Sequence, residues 1–193
     1  MREHEIQHRR SVRRARPRAS GFTLLELLII LGVVGILAAV VVPAFIEMMW
    51  RQKVENAARI TTVQMRAARF RAIQSGQEHG VWADFANERV VLFQGTSAAA
   101  GTEINAYPLP LGIHFQGPGD ASANGANAVV FTPVTNEDAT GGWVVFNPDG
   151  SADDEGGIRV SMPERGLFYE TRIEPMATGR VAVRKWNGTA FVE

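Results

Sequence analysis

The chain has 193 residues, 46% of them hydrophobic, which is enough for one folded domain with a buried core and one additional element. Its formal charges cancel, since 20 Lys and Arg residues balance 20 Asp and Glu residues. It contains no cysteine, which excludes a disulfide, a cysteine zinc site, a thiol nucleophile and a lipidated cysteine anchor.

The charge is distributed unevenly along the chain. Residues 1–21 hold seven Arg and two Glu, a net charge of +5. Residues 22–193 hold 13 basic and 18 acidic residues, a net charge of −5. A basic segment ahead of an apolar run is typical of targeting sequences and not of a nucleic-acid-binding domain.

An apolar run follows, and it contains twenty consecutive uncharged residues from Leu27 to Ile46. A helix of that length spans ~30 Å, the thickness of a bilayer core. A secretory signal has an apolar stretch of only ~7–15 residues and a small-residue cleavage site behind it, and no good site of that kind is present. The preceding basic residues favour a cytoplasmic N-terminus. We therefore predict a single membrane span over residues 24–46.

One carboxylate interrupts the apolar sequence that starts at Phe22. Glu26 is the fifth residue of that sequence. A charged side chain costs ~2.5–3.5 kcal/mol at the centre of a membrane span and less toward its end. Two interpretations remain open at this point: Glu26 extends into the lipid–water interface, or it has a partner.

The residues around Glu26 read Arg-Ala-Ser-Gly-Phe-Thr-Leu-Leu-Glu-Leu over positions 18–27. This stretch resembles the cleavage and methylation motif of type IV prepilins and type II secretion pseudopilins. The resemblance implies that a membrane peptidase cuts after Gly21, that Phe22 is then N-methylated, and that Glu26 is needed for assembly. It also implies a role for Pro43, since these helices commonly carry a kinking proline at the twenty-second processed position. The implied leader, residues 1–21, is longer than usual in the family.

The chemistry of these residues fits the motif. Gly21 has no Cβ, so its backbone can enter a narrow protease cleft in extended form. Cleavage would expose a positive amine on Phe22, which can pair with Glu26 of a neighbouring subunit and fix the register of the two helices. Gly32 and Gly35 would allow close helix approach, although this spacing alone is weak evidence.

Beyond Ile46 the pattern stays helical and becomes amphipathic, and Ser75-Gly76 is a plausible stop, so we predict one helix over residues 22–75. Its cations, including Arg51 and Lys53, are interpreted as a solvated face, with lipid head groups as a second possibility for those two. The expected buried face comprises Val54, Ala57, Ala58, Thr61, Met65, Ala68 and Ala72, widened by Ile60, Val63, Ala67 and Phe70.

Residues 76–193 have the pattern of a β-rich domain. Asn147–Gly150 is a good turn sequence, and Asn187-Gly188 predicts a closing hairpin to residues 189–192. Gly95–Asn105 and Gly117–Asn127 are small, polar and rich in glycine, which predicts long loops. The predicted strands are Gly80–Phe85, Arg89–Gln94, Gly112–Phe115, Ala128–Thr132, Trp143–Asn147, Ile158–Met162, Leu167–Ile173 and Arg180–Trp186.

The expected fold class is α+β: a long transmembrane and amphipathic helix, then an antiparallel two-sheet domain, an order that resembles pilins generally. The C-terminal half also resembles the GspH/FimT family of minor pseudopilins and minor pilins. That resemblance is carried by residues 145–150 (Val-Phe-Asn-Pro-Asp-Gly), 157–160 (Gly-Ile-Arg-Val) and 179–183 (Gly-Arg-Val-Ala-Val).

No catalytic constellation is visible in the sequence, so neither an enzyme nor a cofactor is expected. The four histidines, His4, His8, His79 and His114, have no metal-ligand spacing. Asp149, Asp153, Asp154 and Glu155 are weak candidates for Ca²⁺, because their oxygens suit the ion but their spacing is not that of an EF-hand. Acidic residues in such a loop are more often simply solvated.

Three cations near the C-terminus are weak candidates for contact with nucleic acid. Arg180 and Arg184 share strand parity and would point the same way, with Lys185 adjacent. Some minor pilins of this family serve DNA uptake, where arginines would bind phosphates. The competing interpretation is a charged exterior, and the net negative charge of residues 22–193 favours it.

The resemblance implies a tip or initiating minor pseudopilin of type II secretion in the inner membrane, with a periplasmic C-terminal domain that is extracted into a pseudopilus. The alternative is a minor type IV pilin in pilus assembly, adhesion or DNA uptake. A third possibility, an enzyme or sensor on a plain anchor, lacks a catalytic constellation. The implied partners are other pseudopilins or pilins, the prepilin peptidase and N-methyltransferase, an assembly platform protein and membrane lipid, with DNA only under the alternative.

Overall fold

The computed structural model describes residues 21–123, 125, 127–132, 137–138 and 140–193. Of the expected leader, 1–21, only Gly21 is among them. The chain divides into two compact units, Met1–Ala44 and Phe45–Glu193. Helix α1 (Leu24–Ser75) contributes to both units.

In the first unit, α1 begins at a side-chain cap. The Glu26 backbone N–H donates to Thr23 Oγ1 at 3.2 Å, and the Leu27 N–H donates to the Thr23 carbonyl at 3.1 Å. A threonine followed three residues later by glutamate is the sequence signature of a capping box, and here the threonine half of that motif forms. By length and composition α1 could cross a membrane.

In the second unit, one face of α1 is buried against the β-domain. The seven positions expected at its centre are all buried, and Thr62 and Gln64 join them. Val63 and Phe70 were expected to widen this buried face, but they are 57% and 64% exposed. The stripe in contact with the sheets is therefore narrower than the apolar pattern of the helix predicts.

The β-domain contains eleven strands among the residues that the structure describes. They are β1 (His79–Asp84), β2 (Arg89–Gln94), β3 (Thr102–Pro108), β4 (His114–Phe115), β5 (Val129–Thr132), β6 (Glu137–Asp138), β7 (Gly141–Phe146), β8 (Glu155–Met162), β9 (Leu167–Ile173), β10 (Val181–Trp186) and β11 (Phe191–Val192).

These strands form two antiparallel sheets. The first has the order β3-β2-β1-β7-β6, and Val81 in its central strand lies between Leu92 and Val144. The second has the order β11-β10-β9-β8-β4, with β5 also paired to β8. Gly156, the second residue of β8, has a φ of +145°, and an added Cβ there would overlap the Val130 carbonyl oxygen. The pairing of β5 with β8 therefore requires glycine at this position.

A single hydrophobic core joins the two sheets to the outer part of α1. At the contact with the second sheet, the Thr171 hydroxyl donates to the Ala58 carbonyl at 3.1 Å and lies 3.2 Å from the Thr62 hydroxyl. The absence of a long side chain at Ala58 leaves its carbonyl accessible to the Thr171 hydroxyl. The expected α+β class, a long helix followed by two antiparallel sheets, is confirmed.

Three local expectations are corrected. The segment Gly95–Asn105, expected as a loop, ends inside β3, an edge strand whose side chains are mostly exposed and so leave no apolar alternation. Only residues 114–115 of the strand expected from Gly112 form, since Gly112 turns at a φ of +82°. The closing hairpin pairs only residues 191–192, because the N–H groups of residues 189 and 190 donate to Asn187 Oδ1.

Candidate functional site

The expected cleavage bond lies immediately before α1. Gly21, Phe22 and Thr23 are outside the helix, and the Phe22 side chain is 75% exposed. Because α1 begins only after the Thr23 cap, the Gly21–Phe22 bond lies in non-helical backbone. A peptidase cleft that takes an extended chain suits such a bond. Cleavage at Gly21 and methylation at Phe22 remain predictions.

Glu26 occupies the first turn of α1 and is exposed. The first turn is the positive end of the helix dipole, where a carboxylate is favoured. No side-chain ion pair to Glu26 forms within the described residues of this single chain. Its carboxylate is therefore available to a group on another molecule, which is the geometry that the second interpretation of Glu26 requires.

The following helix surface is apolar and exposed among the described residues. Every described residue of α1 up to Phe45 is exposed, including Leu24 at 80% and Val40 at 72%. A Cβ added at Gly32 or Gly35 would meet no atom within 4 Å. Pro43 lies inside this stretch. Such a surface needs lipid or other apolar helices around it.

Three of the four acidic metal candidates have separate partners. Asp149 Oδ1 accepts from the Ser151 N–H at 2.9 Å and the Ser151 hydroxyl at 2.6 Å, and these bonds hold the pKa of Asp149 below its usual value. Asp153 Oδ1 accepts from the Val145 N–H at 2.8 Å, and Glu155 lies 3.9 Å from Arg172. Asp154 is buried. Within the described parts of the chain, no group of three or more His, Asp or Glu residues is arranged to hold a metal.

Calcium is therefore expected to leave the stability of the β-domain unchanged. A site that bound the ion only in the folded state would raise the melting temperature by mass action. Thermal unfolding should be compared in EDTA and in about 1 mM CaCl₂, a concentration that fills weak extracellular calcium sites. A reproducible upward shift in calcium that Asp153→Asn removes would contradict this expectation.

The three C-terminal cations separate into two groups. Arg180 and Arg184 line one cleft, as their shared parity predicts, but Arg184 pairs with Glu174 at 2.8 Å and Arg180 lies 3.8 Å from Glu193. The Arg172 hydrogen bond and then the Arg184 charge lower the pKa of Glu174. Lys185 lines a different cleft together with Arg51. Arg180 and Arg184 thus each have a carboxylate within ion-pair distance.

The two histidines outside the leader lie in different environments. His79 is buried, and its Nδ1 is 2.9 Å from the Gln77 carbonyl oxygen. His114 contacts Glu88 through Nδ1. His4 and His8 lie outside the described residues.

One cluster was not found by sequence reasoning. Glu47 pairs with Arg51 at 3.3 Å and with Arg165 at 2.8 Å, and Arg165 also lies over the Trp50 ring. The Glu47–Arg51 spacing of four residues was visible in the sequence. Arg165 is 118 residues away from Glu47 and enters the cluster only through the fold.

The chain matches one family model at its N-terminal motif and is similar to a pilin over a longer stretch. Residues 16–42 match the family described as the prokaryotic N-terminal methylation motif. The chain is 38% identical over 77 residues to the type IV major pilin protein PilA of Myxococcus xanthus (strain DK1622). That match covers 40% of this chain and 33% of the pilin, so the chain spans about a third of that relative.

Among solved structures, the minor pseudopilin EpsH from the type 2 secretion system of Vibrio cholerae matches with a TM-score of 0.46 and 14% identity. The match covers 67% of this chain and 96% of that one.

Residues 16–42 thus match a prokaryotic N-terminal methylation motif, and the chain is similar over 77 residues to a type IV pilin. Among the described residues one helix, α1, is long and apolar enough to span a membrane, and its overlap with the motif is consistent with a membrane-anchored protein.

Proposed function

We propose that the chain is a processed subunit of a type IV-class filament, namely a tip or initiating minor pseudopilin of a type II secretion pseudopilus. The prepilin peptidase cuts after Gly21 and its methyltransferase activity modifies Phe22. The span, residues 24–46, anchors the chain in the inner membrane with the N-terminus in the cytoplasm. Residues 76–193 then lie in the periplasm, and an assembly platform protein extracts the subunit into the filament.

The observation that carries this proposal is the combination found at the start of α1. An exposed, non-helical Gly21–Phe22 bond precedes a helix whose first turn holds Glu26 and whose next twenty residues are uncharged and exposed. A plain membrane anchor needs the apolar surface but not a carboxylate four residues into it. A helical bundle of processed subunits uses both, since the carboxylate pairs with a neighbour's new amine.

The alternative is a minor pilin of a type IV pilus. The similarity to a type IV pilin favours it, and so does the common cleft of Arg180 and Arg184. Deletion of the gene separates the two: loss of protein secretion across the outer membrane supports the pseudopilin, and loss of piliation or DNA uptake supports the pilin. Under the DNA-uptake version, the affinity for DNA is salt-dependent and falls when both arginines are replaced by glutamine.

Processing is tested by mass spectrometry of the N-terminus of the membrane-bound protein. We expect a chain that begins at N-methylated Phe22 in cells with the prepilin peptidase and an intact leader in cells without it. Gly21→Val should block the cut, because a β-branched side chain obstructs extended entry into a narrow cleft, whereas Ser20→Ala should leave it unchanged. An intact N-terminus in the presence of the enzyme, or a cut near Ala44, would refute the proposal.

A further inference from the structure

A basic and apolar surface surrounds the beginning of the outer part of α1 and is here called the basal patch. Two adjoining clefts define it, and Arg165 lines both. One also contains Trp50, Lys53 and Leu111, and the other Arg51 and Lys185. The basal patch therefore consists of Trp50, Arg51, Lys53, Leu111, Arg165 and Lys185, all within the second unit.

Trp50 organises the centre of the patch. The Lys53 Nζ atom lies 4.0 Å from the Trp50 ring centroid, and the Arg165 guanidinium carbon lies 5.2 Å from it. Two cations on one indole are held by cation–π attraction while their charges stay at the surface. Tryptophan with neighbouring Lys and Arg is the combination enriched at membrane–water interfaces.

The patch is basic although the rest of the processed chain is acidic. Its four cations lie near three carboxylates, namely Glu47, Glu164 and the Glu88 that contacts His114 at the edge of one cleft. Glu47 is engaged by both Arg51 and Arg165. Residues 22–193 as a whole carry a net charge of −5. Positive charge concentrated here against that background favours an anionic surface as the partner.

The position of the patch along α1 points to the same partner. The uncharged run ends at Ile46, and Trp50 follows four residues later, a rise of ~6 Å along the helix. The head-group layer on each side of a bilayer core is about 5–7 Å thick. Arg165 lies over the Trp50 ring, and Leu111 lines the same cleft as Trp50. Both residues, which come from distant parts of the β-domain, are therefore near the level of Trp50 along the helix axis.

Leu111 supplies an apolar element that a purely electrostatic patch would lack. It is 93% exposed, the highest exposure among the large hydrophobic residues that the structure describes. It precedes Gly112 in a turn. An exposed leucine at a loop tip, close to tryptophan and cations, is suited to entering the interface between head groups and acyl chains.

We propose that the basal patch docks the β-domain onto the anionic lipid head groups of the membrane in which α1 is anchored. Lys53, Arg165 and Lys185 contact the lipid phosphates, and Leu111 inserts between them. The inference rests on the membrane anchorage proposed above and adds a lipid-binding role for the β-domain. Assembly into a filament then requires the patch to leave the lipid.

The absence of native cysteine allows a single label to test this. The full chain carrying Leu111→Cys is labelled with an environment-sensitive fluorophore and reconstituted into vesicles of phosphatidylcholine, with or without phosphatidylglycerol. A lipid with a spin-labelled head group serves as quencher. We expect blue-shifted, strongly quenched emission only in the vesicles that contain phosphatidylglycerol. The same label on Ser75→Cys, at the end of α1, should not respond.

Charge variants provide the matched comparison. One lysine or arginine near an anionic surface contributes about fivefold to binding, so Lys53→Gln with Lys185→Gln should lower the ratio of docked to undocked domain by about 25-fold. Arg71→Gln with Arg180→Gln removes the same charge elsewhere on the domain and should leave quenching unchanged.

The outcomes distinguish lipid docking of the basal patch from membrane anchorage of the chain. A chain that stays in the vesicles after an alkaline wash but shows no quenching at Leu111→Cys overturns lipid docking and leaves the anchor intact. Quenching that is equal with and without phosphatidylglycerol also overturns it. A chain released by the alkaline wash overturns the anchorage and the inference together.

Discussion

Replacement of Glu26 by glutamine is expected to abolish incorporation of the chain into filaments while leaving cleavage after Gly21 intact. The carboxylate has no ion-pair partner among the described residues of its own chain, and a neighbour's Phe22 amine would be left unpaired in an apolar bundle. Breaking a buried ion pair costs about 3–5 kcal/mol, which corresponds to a loss of incorporation of at least about 100-fold. The measurement is the amount of the variant in sheared filament fractions relative to the membrane pool.

The control for this experiment is Glu26→Asp. Aspartate keeps the charge on a shorter side chain and should retain part of the incorporation. Mass spectrometry must find Phe22 at the N-terminus of each variant, so that a failure of processing is not mistaken for a failure of assembly. Normal incorporation of Glu26→Gln would show that the carboxylate only extends to the interface, the first interpretation of the sequence.

Replacement of Glu170 by alanine is expected to destabilise the β-domain more than the loss of any exposed charge. Its side chain is 2% exposed and pairs with Arg159 Nε at 3.0 Å. Arg159 is itself 16% exposed, so the variant leaves a largely buried cation. The expected cost is about 3–5 kcal/mol of unfolding free energy, a fall of roughly 6–20 °C in melting temperature.

Glu174→Ala serves as the matched exposed variant. Glu174 also accepts from two arginines, Arg172 at 3.0 Å and Arg184 at 2.8 Å, but it is open to solvent, where ion pairs contribute little. Its melting temperature should stay close to that of the unmodified chain. Equal destabilisation by the two variants would mean that burial does not determine how much the Glu170–Arg159 pair contributes to the free energy of unfolding.

The helix and the general order of the fold could be predicted because their signals are local. Twenty uncharged residues and an amphipathic repeat each lie within a few turns of one helix. The buried face of α1 was correct at its centre for the same reason. The prediction was wrong at the edge of the buried face, where Val63 and Phe70 are exposed. Their exposure depends on how far the sheets extend around the helix.

The features that were missed depend on contacts between distant residues. Strand β3 has little apolar alternation and forms because β2 offers it a free edge, with a register shift between Leu92 and Phe93. The basal patch combines residues from α1, the loop at Leu111 and the turn at Arg165, which no local pattern joins. The DNA assignment shows the same limit: strand parity placed Arg180 and Arg184 together, but it did not predict the carboxylates that pair with them.

The Thr23 cap determines where the positive charge of a processed N-terminus would lie relative to the helix dipole. Because Thr23 fixes the start of α1 at Leu24, a cut after Gly21 would set a new ammonium group two residues before the helix. That group would face the positive pole of the helix dipole, an unfavourable pairing of like charges. In an isolated processed subunit, the Phe22 ammonium would therefore be in an unfavourable position. Contact with another subunit's carboxylate would offset this cost. A neighbouring subunit's carboxylate beside the new amine would therefore be favoured.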